Sequence, residues 1–231
     1  MFASVFSAAI SGMEVHLIKV EADVSDGLPS FTMVGLPSTQ VKEAQDRVRT
    51  ALKNNGIALP PKRITVNLAP ADIRKEGAGF DLPLAAAVLA AAGVLSAEQL
   101  GNVMMAGEIG LNGEIHAVSG ILPMIIRARE EKCRFCVVPY DNLKEAHLIP
   151  DMKVIGVADL QEMIRYVSAP DSYKKAVETG KKSPQENSVD FCEIHGQESL
   201  KRAVEIAVSG FHNLLMIGPP GAGACVKIRL S

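Results

Sequence analysis

Residues 67–93 read NLAPADIRKEGAGFDLPLAAAVLAAAG and decide how this chain folds. They continue a run rich in β-branched residues, Arg63–Leu68, which predicts a strand. A polar, glycine-containing loop, ADIRKEGAG, comes next. Asp81 then fits the N-cap of a helix, Pro83 fits its first turn, and Gly93 ends it. Because this helix is apolar on nearly every side, we expect it to be buried at the centre of the fold.

The chain before this stretch predicts a β-rich beginning. Polar and apolar residues alternate along Phe2–Val24, on both sides of Ser11-Gly12, and this pattern predicts a hairpin. Phe31–Leu36 predicts a further strand. A helix is expected over residues 38–55, because apolar residues recur on one face and Gly56 supplies a stop.

Short strands and helices alternate after the central stretch. Val103–Glu108 and Glu114–Val118 flank GLNG, whose Asn112-Gly113 pair is typical of a hairpin turn. Ser119 is expected to cap the next helix, and Phe135–Val138 predicts the strand after it. The alternation indicates an α/β fold, mixed in the α+β sense, with helices stacked on a sheet.

Composition changes divide the chain into three parts. Residues 1–168 form the first domain, and residues 169–188, APDSYKKAVETGKKSPQENS, read as a polar linker. A second apolar region occupies residues 189–231. It predicts a helix over residues 197–208 and a strand over Asn213–Ile217.

The overall composition is that of a globular protein without a membrane segment. The chain has 231 residues, 48% of them hydrophobic and 22% charged, and its formal net charge is −2. This balance gives no general attraction to nucleic acid, so any DNA contact has to be local. The most apolar stretch, Leu82–Ala92, is far shorter than the roughly 20 residues that cross a bilayer. The N-terminus has no early positive region, and we expect a cytoplasmic protein.

The spacing of the four cysteines does not match that of a zinc site. Cys133 and Cys136 form a C-x-x-C pair, and Cys192 and Cys225 stand alone. No second pair occurs at the spacing of a zinc site. We interpret the pair as buried, unreactive thiols in a strand and expect no metal site.

Two parts of the sequence carry a resemblance to a known family. Asp190–Gly223, DFCEIHGQESLKRAVEIAVSGFHNLLMIGPPGAG, resembles the entry to the AAA+ ATPase domain of ComM/YifB proteins and of magnesium-chelatase ChlI-like subunits. Asn67–Gly93 and Met105–Pro123, MAGEIGLNGEIHAVSGILP, resemble the N-terminal domain of ComM/YifB. The likeness covers nearly all of residues 1–223 and is expected to end at Gly223. It implies a complete N-terminal domain and, after it, the truncated start of a P-loop AAA+ domain.

That N-terminal domain in turn resembles the proteolytic domain of Lon, a ribosomal protein S5 domain 2-like fold. Lon-type catalysis uses a Ser nucleophile before the buried helix and a Lys at the start of the helix after the hairpin. Matching the motifs places Gly79 at the Ser position and Leu122 at the Lys position. These two residues supply neither the oxygen nor the amine, so the resemblance implies a domain with no catalytic residues. The nearby Ser119 and Lys75 are interpreted as a helix cap and a solvated loop charge.

A glycine-rich loop stands where the resemblance places the phosphate-binding loop of the ATPase. Its residues are Gly218, Pro219, Pro220, Gly221, Ala222 and Gly223. The family's Walker A motif continues with Lys and Ser or Thr, whereas this chain has Ala224 and Cys225. The groups that neutralise the phosphates and hold Mg²⁺ are therefore missing. Full-length members use ATP and Mg²⁺, and we expect this chain to bind neither productively.

The resemblance also implies partners. Full-length ComM/YifB proteins resemble AAA+ motors that form homo-hexamers, and ComM is associated with DNA branch migration and recombination during natural transformation. A set of basic residues forms either a DNA-binding surface or a plain solvated face: Lys42, Arg47, Arg49, Lys53, Lys62, Arg63, Arg74 and Lys75. Two alternatives remain, a Ser-Lys peptidase of the Lon type and a non-functional fragment of a broken gene. The abrupt change to ACVKIRLS after Gly223 motivates the latter.

Overall fold

The computed structural model divides the chain into two compact units, Met1–Lys175 and Ala176–Ser231. It describes residues 1–12, 14–173, 196–210, 212 and 214–216. The strands of the first unit are β1 Phe2–Ser11, β2 Glu14–Ser25, β3 Ser30–Val34, β4 Arg63–Ala69, β5 Val103–Met105, β6 Glu108–Ile109, β7 Ile115–His116, β8 Phe135–Pro139 and β9 Val154–Val157. Its helices are α1 Thr39–Asn54, α2 Asp81–Ala91, α3 Ala97–Leu100, α4 Ile121–Glu130, α5 Leu143–Ala146 and α6 Leu160–Ser168.

Seven of these strands form one sheet in the order β3-β4-β2-β1-β5-β8-β9. Four of its pairings are parallel, and the two that involve β2 are antiparallel. Helices α1 and α2 pack on one face, and α4 and α5 pack on the other face over β1, β5, β8 and β9. The predicted α/β fold with helices stacked on a sheet is confirmed.

The predicted hairpin is formed by β1 and β2, whose register runs from Phe2 opposite Asp23 to Ser11 opposite Glu14. The predicted strand near residue 31 is β3, which pairs in parallel with β4. The Asn112-Gly113 turn lies between β6 and β7, which form a separate two-stranded ribbon. These elements were predictable because alternating burial has a period of two in a strand.

Helix α2 lies at the centre of the unit, and all eleven of its residues are buried. Its small alanines allow close approach to β1 and β2, which it packs against. The expected N-cap was wrong, because Phe80 holds the cap position and Asp81 is the first helical residue. The Asp81 side chain does not cap the helix. Instead, the Asp81 carboxylate accepts hydrogen bonds from Arg47.

Ser119 also does not cap a helix. The cap position of α4 is Gly120, whose φ of +80° is left-handed and suits glycine. The backbone N–H of Leu122 donates instead to the Glu145 carboxylate at 2.9 Å. A carboxylate from another helix has therefore replaced the local hydroxyl in satisfying an N-terminal donor of α4.

The first residues assigned to the linker belong to the first unit and pack against the rest of it. Tyr173 stacks edge-on against Tyr166 with ring centroids 5.1 Å apart, and its hydroxyl accepts the Gly156 N–H at 3.1 Å. Asp171 pairs with Lys153 at 2.8 Å. The domain limits at residues 168 and 188 stay a prediction, since the remainder of the linker lies outside the described residues.

Helix α7, Glu198–Ser209, is the described element of the second unit and confirms the helix predicted over residues 197–208. Val204 and Ala207 are buried on one side of it. The strand predicted for Asn213–Ile217 is not seen in its described residues, since 214–216 have no regular secondary structure and are exposed. In the described part of the chain, no helix is both long and apolar enough to span a bilayer.

The C-x-x-C thiols are expected to resist alkylation in the folded chain. Cys133 and Cys136 are 7% and 0% exposed, and burial raises the pKa of both thiols. Since the thiolate is the nucleophile, the rate at which iodoacetamide labels these thiols at neutral pH should be lower in the folded chain than in the unfolded chain, by a factor of roughly ten or more. Site-resolved mass spectrometry measures this rate. Equal labelling of folded and guanidinium-unfolded chain would contradict the buried assignment.

Candidate functional site: the vacated catalytic positions

The position matched to a Lon-type serine lies in a single helical turn, Ala78–Phe80, just before α2. Gly79 occupies it, and its carbonyl accepts the Gly107 N–H at 3.0 Å. Among the described residues, a Cβ added at Gly79 would meet only the Val118 side chain within 4 Å, at 4.0 Å. The position thus has room for a side chain and offers no nucleophile.

The position matched to a Lon-type lysine is Leu122, in the first turn of α4. Its backbone is held by the Glu145 carboxylate, and its side chain is half-buried. An isobutyl group cannot accept a proton, so a hydroxyl placed at Gly79 would have no amine there to activate it.

A buried amide links the surroundings of these two positions. Asn142, 8% exposed, accepts the Val118 N–H and donates to the Val118 carbonyl, both at 3.0 Å. It also donates to Glu145 at 3.4 Å. Because Val118 faces Gly79 and Glu145 holds Leu122, one network joins the two sequence-predicted positions. Sequence reasoning missed Asn142, which lies in an unremarkable stretch, YDNLKEA.

An ion pair between a buried carboxylate and a partly exposed arginine lies two residues after Gly79. Asp81 is 0% exposed and receives two hydrogen bonds of 2.8 Å from Arg47, through Nε and Nη2. It also accepts the Ile109 N–H at 3.2 Å. Burial raises the pKa of Asp81 above its usual value, although Arg47 and the Ile109 N–H act in the opposite direction. This pair fixes α1, α2 and β6 together around the loop.

Lys75 was wrongly interpreted as a solvated loop charge. It is 0% exposed, and its Nζ donates to the carbonyls of Gly35, at 2.8 Å, and Pro70. Its backbone also bonds to Leu36 and Ser38. Lys75 therefore ties the loop before Gly79 to the turn between β3 and α1, and burial lowers the pKa of its amine.

Replacing Lys75 by methionine is expected to lower the free energy of unfolding by about 1–3 kcal/mol, because the carbonyls of Gly35 and Pro70 lose the buried amine that donates to them. The pKa of Lys75 in the folded chain lies below its ordinary value of 10.5. Wild type should thus gain stability over the variant as pH rises from the lowered pKa towards 10.5. Urea unfolding at several pH values measures both effects.

The neighbouring Arg74→Met variant is the matched control. Arg74 is exposed and pairs only with Glu76 in the described part of the chain, so its loss should cost roughly 0–1 kcal/mol. A Lys75→Met variant as stable as Arg74→Met at every pH would contradict the structural role of Lys75.

The structure removes two members from the predicted basic surface. Arg47 pairs with buried Asp81, and Lys75 is itself buried. The side chains of Arg49, Lys53 and Lys62 instead line one cleft, between α1 and β3. The predicted phosphate-binding loop, Gly218, Pro219, Pro220, Gly221, Ala222 and Gly223, lies outside the described residues, as do Ala224 and Cys225.

The fold defines a class of protein, a Lon-type α/β domain, and the motif match predicts glycine and leucine at its serine and lysine positions. Comparison with known proteins supports this class. The chain is 27% identical over 128 residues to Lon protease 2 of Bacillus subtilis, covering 54% of this chain and 22% of that protein. It is 24% identical over 162 residues to Lon protease of Mycolicibacterium smegmatis, covering 67% of this chain and 20% of that protein.

Stronger similarity identifies the family. The family described as "Subunit ChlI of Mg-chelatase" matches residues 20–142, and "Magnesium chelatase, subunit ChlI" matches residues 190–230. Competence protein ComM of Haemophilus influenzae is 42% identical over 96% of this chain and 44% of its own length. The uncharacterized protein YifB of Escherichia coli is 41% identical over 95% of this chain and 43% of its own length.

The chain belongs to the magnesium-chelatase ChlI-like family, together with ComM and YifB. It spans less than half the length of these two relatives. The family match in the second unit continues to residue 230, so the prediction that the resemblance ends at Gly223 was wrong.

Proposed function

We propose that residues 1–168 act as the N-terminal accessory domain of a ComM-type AAA+ ATPase, and that they act by docking and not by catalysis. The proposal is supported by the family membership of the chain, together with the motif match that assigns Gly79 and Leu122 to the positions of the Lon serine and lysine. Because function depends on the residues of a site and not on the fold, a domain of this fold without the two reacting groups can serve assembly instead.

Within this proposal the ATP-driven step belongs to the ATPase domain of full-length family members, whose start corresponds to residues 189–231 of this chain. A working ATPase of this kind binds ATP and Mg²⁺, assembles as a homo-hexamer, and drives branch migration of DNA in the cytoplasm. This chain has Ala224 and Cys225 where Lys and Ser or Thr are needed to handle the phosphates and the metal. We therefore propose that the 231-residue chain alone does not hydrolyse ATP.

An exchange of domains tests the accessory role. Residues 1–175 of this chain would replace the matching N-terminal region of Haemophilus influenzae ComM, with deletion of that region as the matched control. We expect the chimera to assemble and to migrate a synthetic four-way DNA junction in the presence of ATP, and the deletion to lose most of this activity. A deletion protein as active as the chimera would contradict the proposal.

A direct role of the domain in DNA binding is supported by fewer residues than the sequence suggested. Lys42, Arg49, Lys53, Lys62 and Arg63 are exposed, but Lys62 already pairs with Asp26 at 2.9 Å. Binding of labelled single-stranded and branched DNA at several salt concentrations tests this role. Loss of a salt-dependent affinity in an Arg49→Glu/Arg63→Glu variant would support it, because such binding depends on phosphate contacts.

A further inference from the structure

The outer edge of strand β3 is available for a partner. β3, Ser30–Val34, is the terminal strand of the sheet and pairs with β4 on one side only, as far as the described residues show. Exposed apolar side chains lie along it and beside it: Val34 is 46% exposed, Leu36 55% and Leu28 83%. An unpaired strand edge offers a row of backbone donors and acceptors to a further strand.

A cleft of about 350 Å³ adjoins this edge, between β3 and the C-terminal half of α1. Phe31, Ile57 and Leu59 give it apolar walls. Its volume is at the small end of the roughly 300–1,000 Å³ that ligand clefts occupy. It fits one or two side chains better than a cofactor.

The charges at this cleft are of one sign. Arg49, Lys53 and Lys62 line it, and no Asp or Glu does so among the described residues. Outside the cleft, the 92% exposed carboxylate of Asp26 pairs with Lys62, which lowers the pKa of Asp26. Lys62 thus already binds one carboxylate, that of Asp26, at the rim of the cleft. A carboxylate of an incoming segment would contact the same ammonium group.

These features favour a polypeptide over a nucleic acid. Sequence-tolerant binding of single-stranded nucleic acid relies on aromatic rings on which bases stack. Phe31 is the aromatic residue in the lining of this cleft, and it packs against the hydrophobic core. An extended peptide uses both the strand edge and an adjoining side-chain cleft, as in strand addition.

We propose that the β3 edge and its cleft bind an extended, acidic segment of a partner protein. Backbone groups of the segment pair with β3, one apolar side chain enters the cleft, and carboxylates contact Arg49, Lys53 and Lys62. This inference goes beyond the proposed accessory function, because it requires neither ATP nor the rest of an ATPase.

Fluorescence anisotropy with the full chain tests the proposal. The probe is a fluorescein-labelled peptide of alternating Glu and Val with one central Phe, and the matched probe carries Lys in place of Glu. We expect the acidic peptide to bind and the basic peptide not to bind. Arg49→Glu/Lys53→Glu should raise the Kd roughly tenfold or more, whereas Lys42→Glu on the same helix should leave it unchanged.

A second measurement distinguishes strand addition from binding by charge attraction alone. Hydrogen exchange of the amides of residues 30–34 should slow when the acidic peptide is bound, because backbone pairing protects them. Circular dichroism shows whether the exposed-site variants remain folded. The proposal is overturned if the two peptides bind equally, if the charge reversal has no effect, if exchange is unaltered, or if oligo-dT displaces the peptide. Dimerisation of the chain through β3 would equally overturn it.

Discussion

Replacing Arg47 by alanine is expected to lower the free energy of unfolding by about 3–5 kcal/mol, the cost of leaving a buried charge without its partner. Asp81 is 0% exposed, and Arg47 supplies two of its hydrogen bonds at 2.8 Å. A loss of this size is a large fraction of the roughly 5–15 kcal/mol that stabilises a typical domain. Urea unfolding at neutral pH measures it.

The pH dependence of this variant identifies the cause. The pKa of Asp81 already lies above its ordinary value, and loss of Arg47 should raise it further. A carboxyl whose folded pKa is raised contributes stability below its unfolded pKa of 3.8 and loses it as pH rises through the folded value. The deficit of Arg47→Ala should therefore grow as pH rises from the folded pKa of Asp81 in wild type to its higher folded pKa in the variant.

Two further variants serve as controls for Arg47. Arg49→Ala, two positions along the same helix, removes an exposed cation and should alter stability by less than roughly 1 kcal/mol. Arg47→Met combined with Asp81→Leu should recover much of the loss, because no charge is then left buried. Equal stability of Arg47→Ala and Arg49→Ala would show that the ion pair is not structural.

Replacing Gly35 by alanine is expected to lower the free energy of unfolding by about 2–6 kcal/mol. A strained backbone accounts for roughly 1–3 kcal/mol of this loss, and overpacking accounts for roughly 1–3 kcal/mol. Gly35 has a φ of +96°, and a Cβ there would lie 2.2 Å from the Leu68 carbonyl oxygen. The Gly35 carbonyl also accepts the buried Lys75 amine, so any shift disturbs the loop before Gly79.

Gly56→Ala is the matched control for this substitution. Gly56 has a φ of +75°, but a Cβ there would meet no atom of the described part of the chain within 4 Å. Its replacement should cost only the left-handed strain of roughly 1–2 kcal/mol. Thermal and urea unfolding of both variants compare the two positions. Equal losses would mean that the close approach of Gly35 to Leu68 is unimportant.

The regular elements could be predicted because their cause is local. Alternation along β1 and β2, the continuous apolar run of α2 and the amphipathic pattern of α1 all depend on side chains a few residues apart. The order of strands in the sheet could not be obtained this way, since the pairing of β1 with β5 joins distant parts of the chain.

The polar residues of the candidate site were harder to interpret. Asp81 has the position and chemistry of an N-cap, and only the approach of Arg47 from α1 shows that it is a buried partner. Lys75 lies in a polar loop, and one of the two carbonyls that accept its amine, that of Gly35, comes from a distant segment. By contrast, family motifs surround Gly79 and Leu122 closely, so the sequence alone assigns them to the Lon positions, and this assignment stays a prediction.

The central claim is that Gly79 and Leu122, the residues matched to the Lon serine and lysine, supply neither a nucleophile nor a base. A fluorophosphonate probe and fluorescent casein test it most directly, with Ser119→Ala as the matched variant and an active Lon protease as the positive control. We predict neither stoichiometric labelling of a serine nor casein turnover by homogeneous chain, and no difference between wild type and Ser119→Ala. Stoichiometric labelling together with casein cleavage would contradict the account.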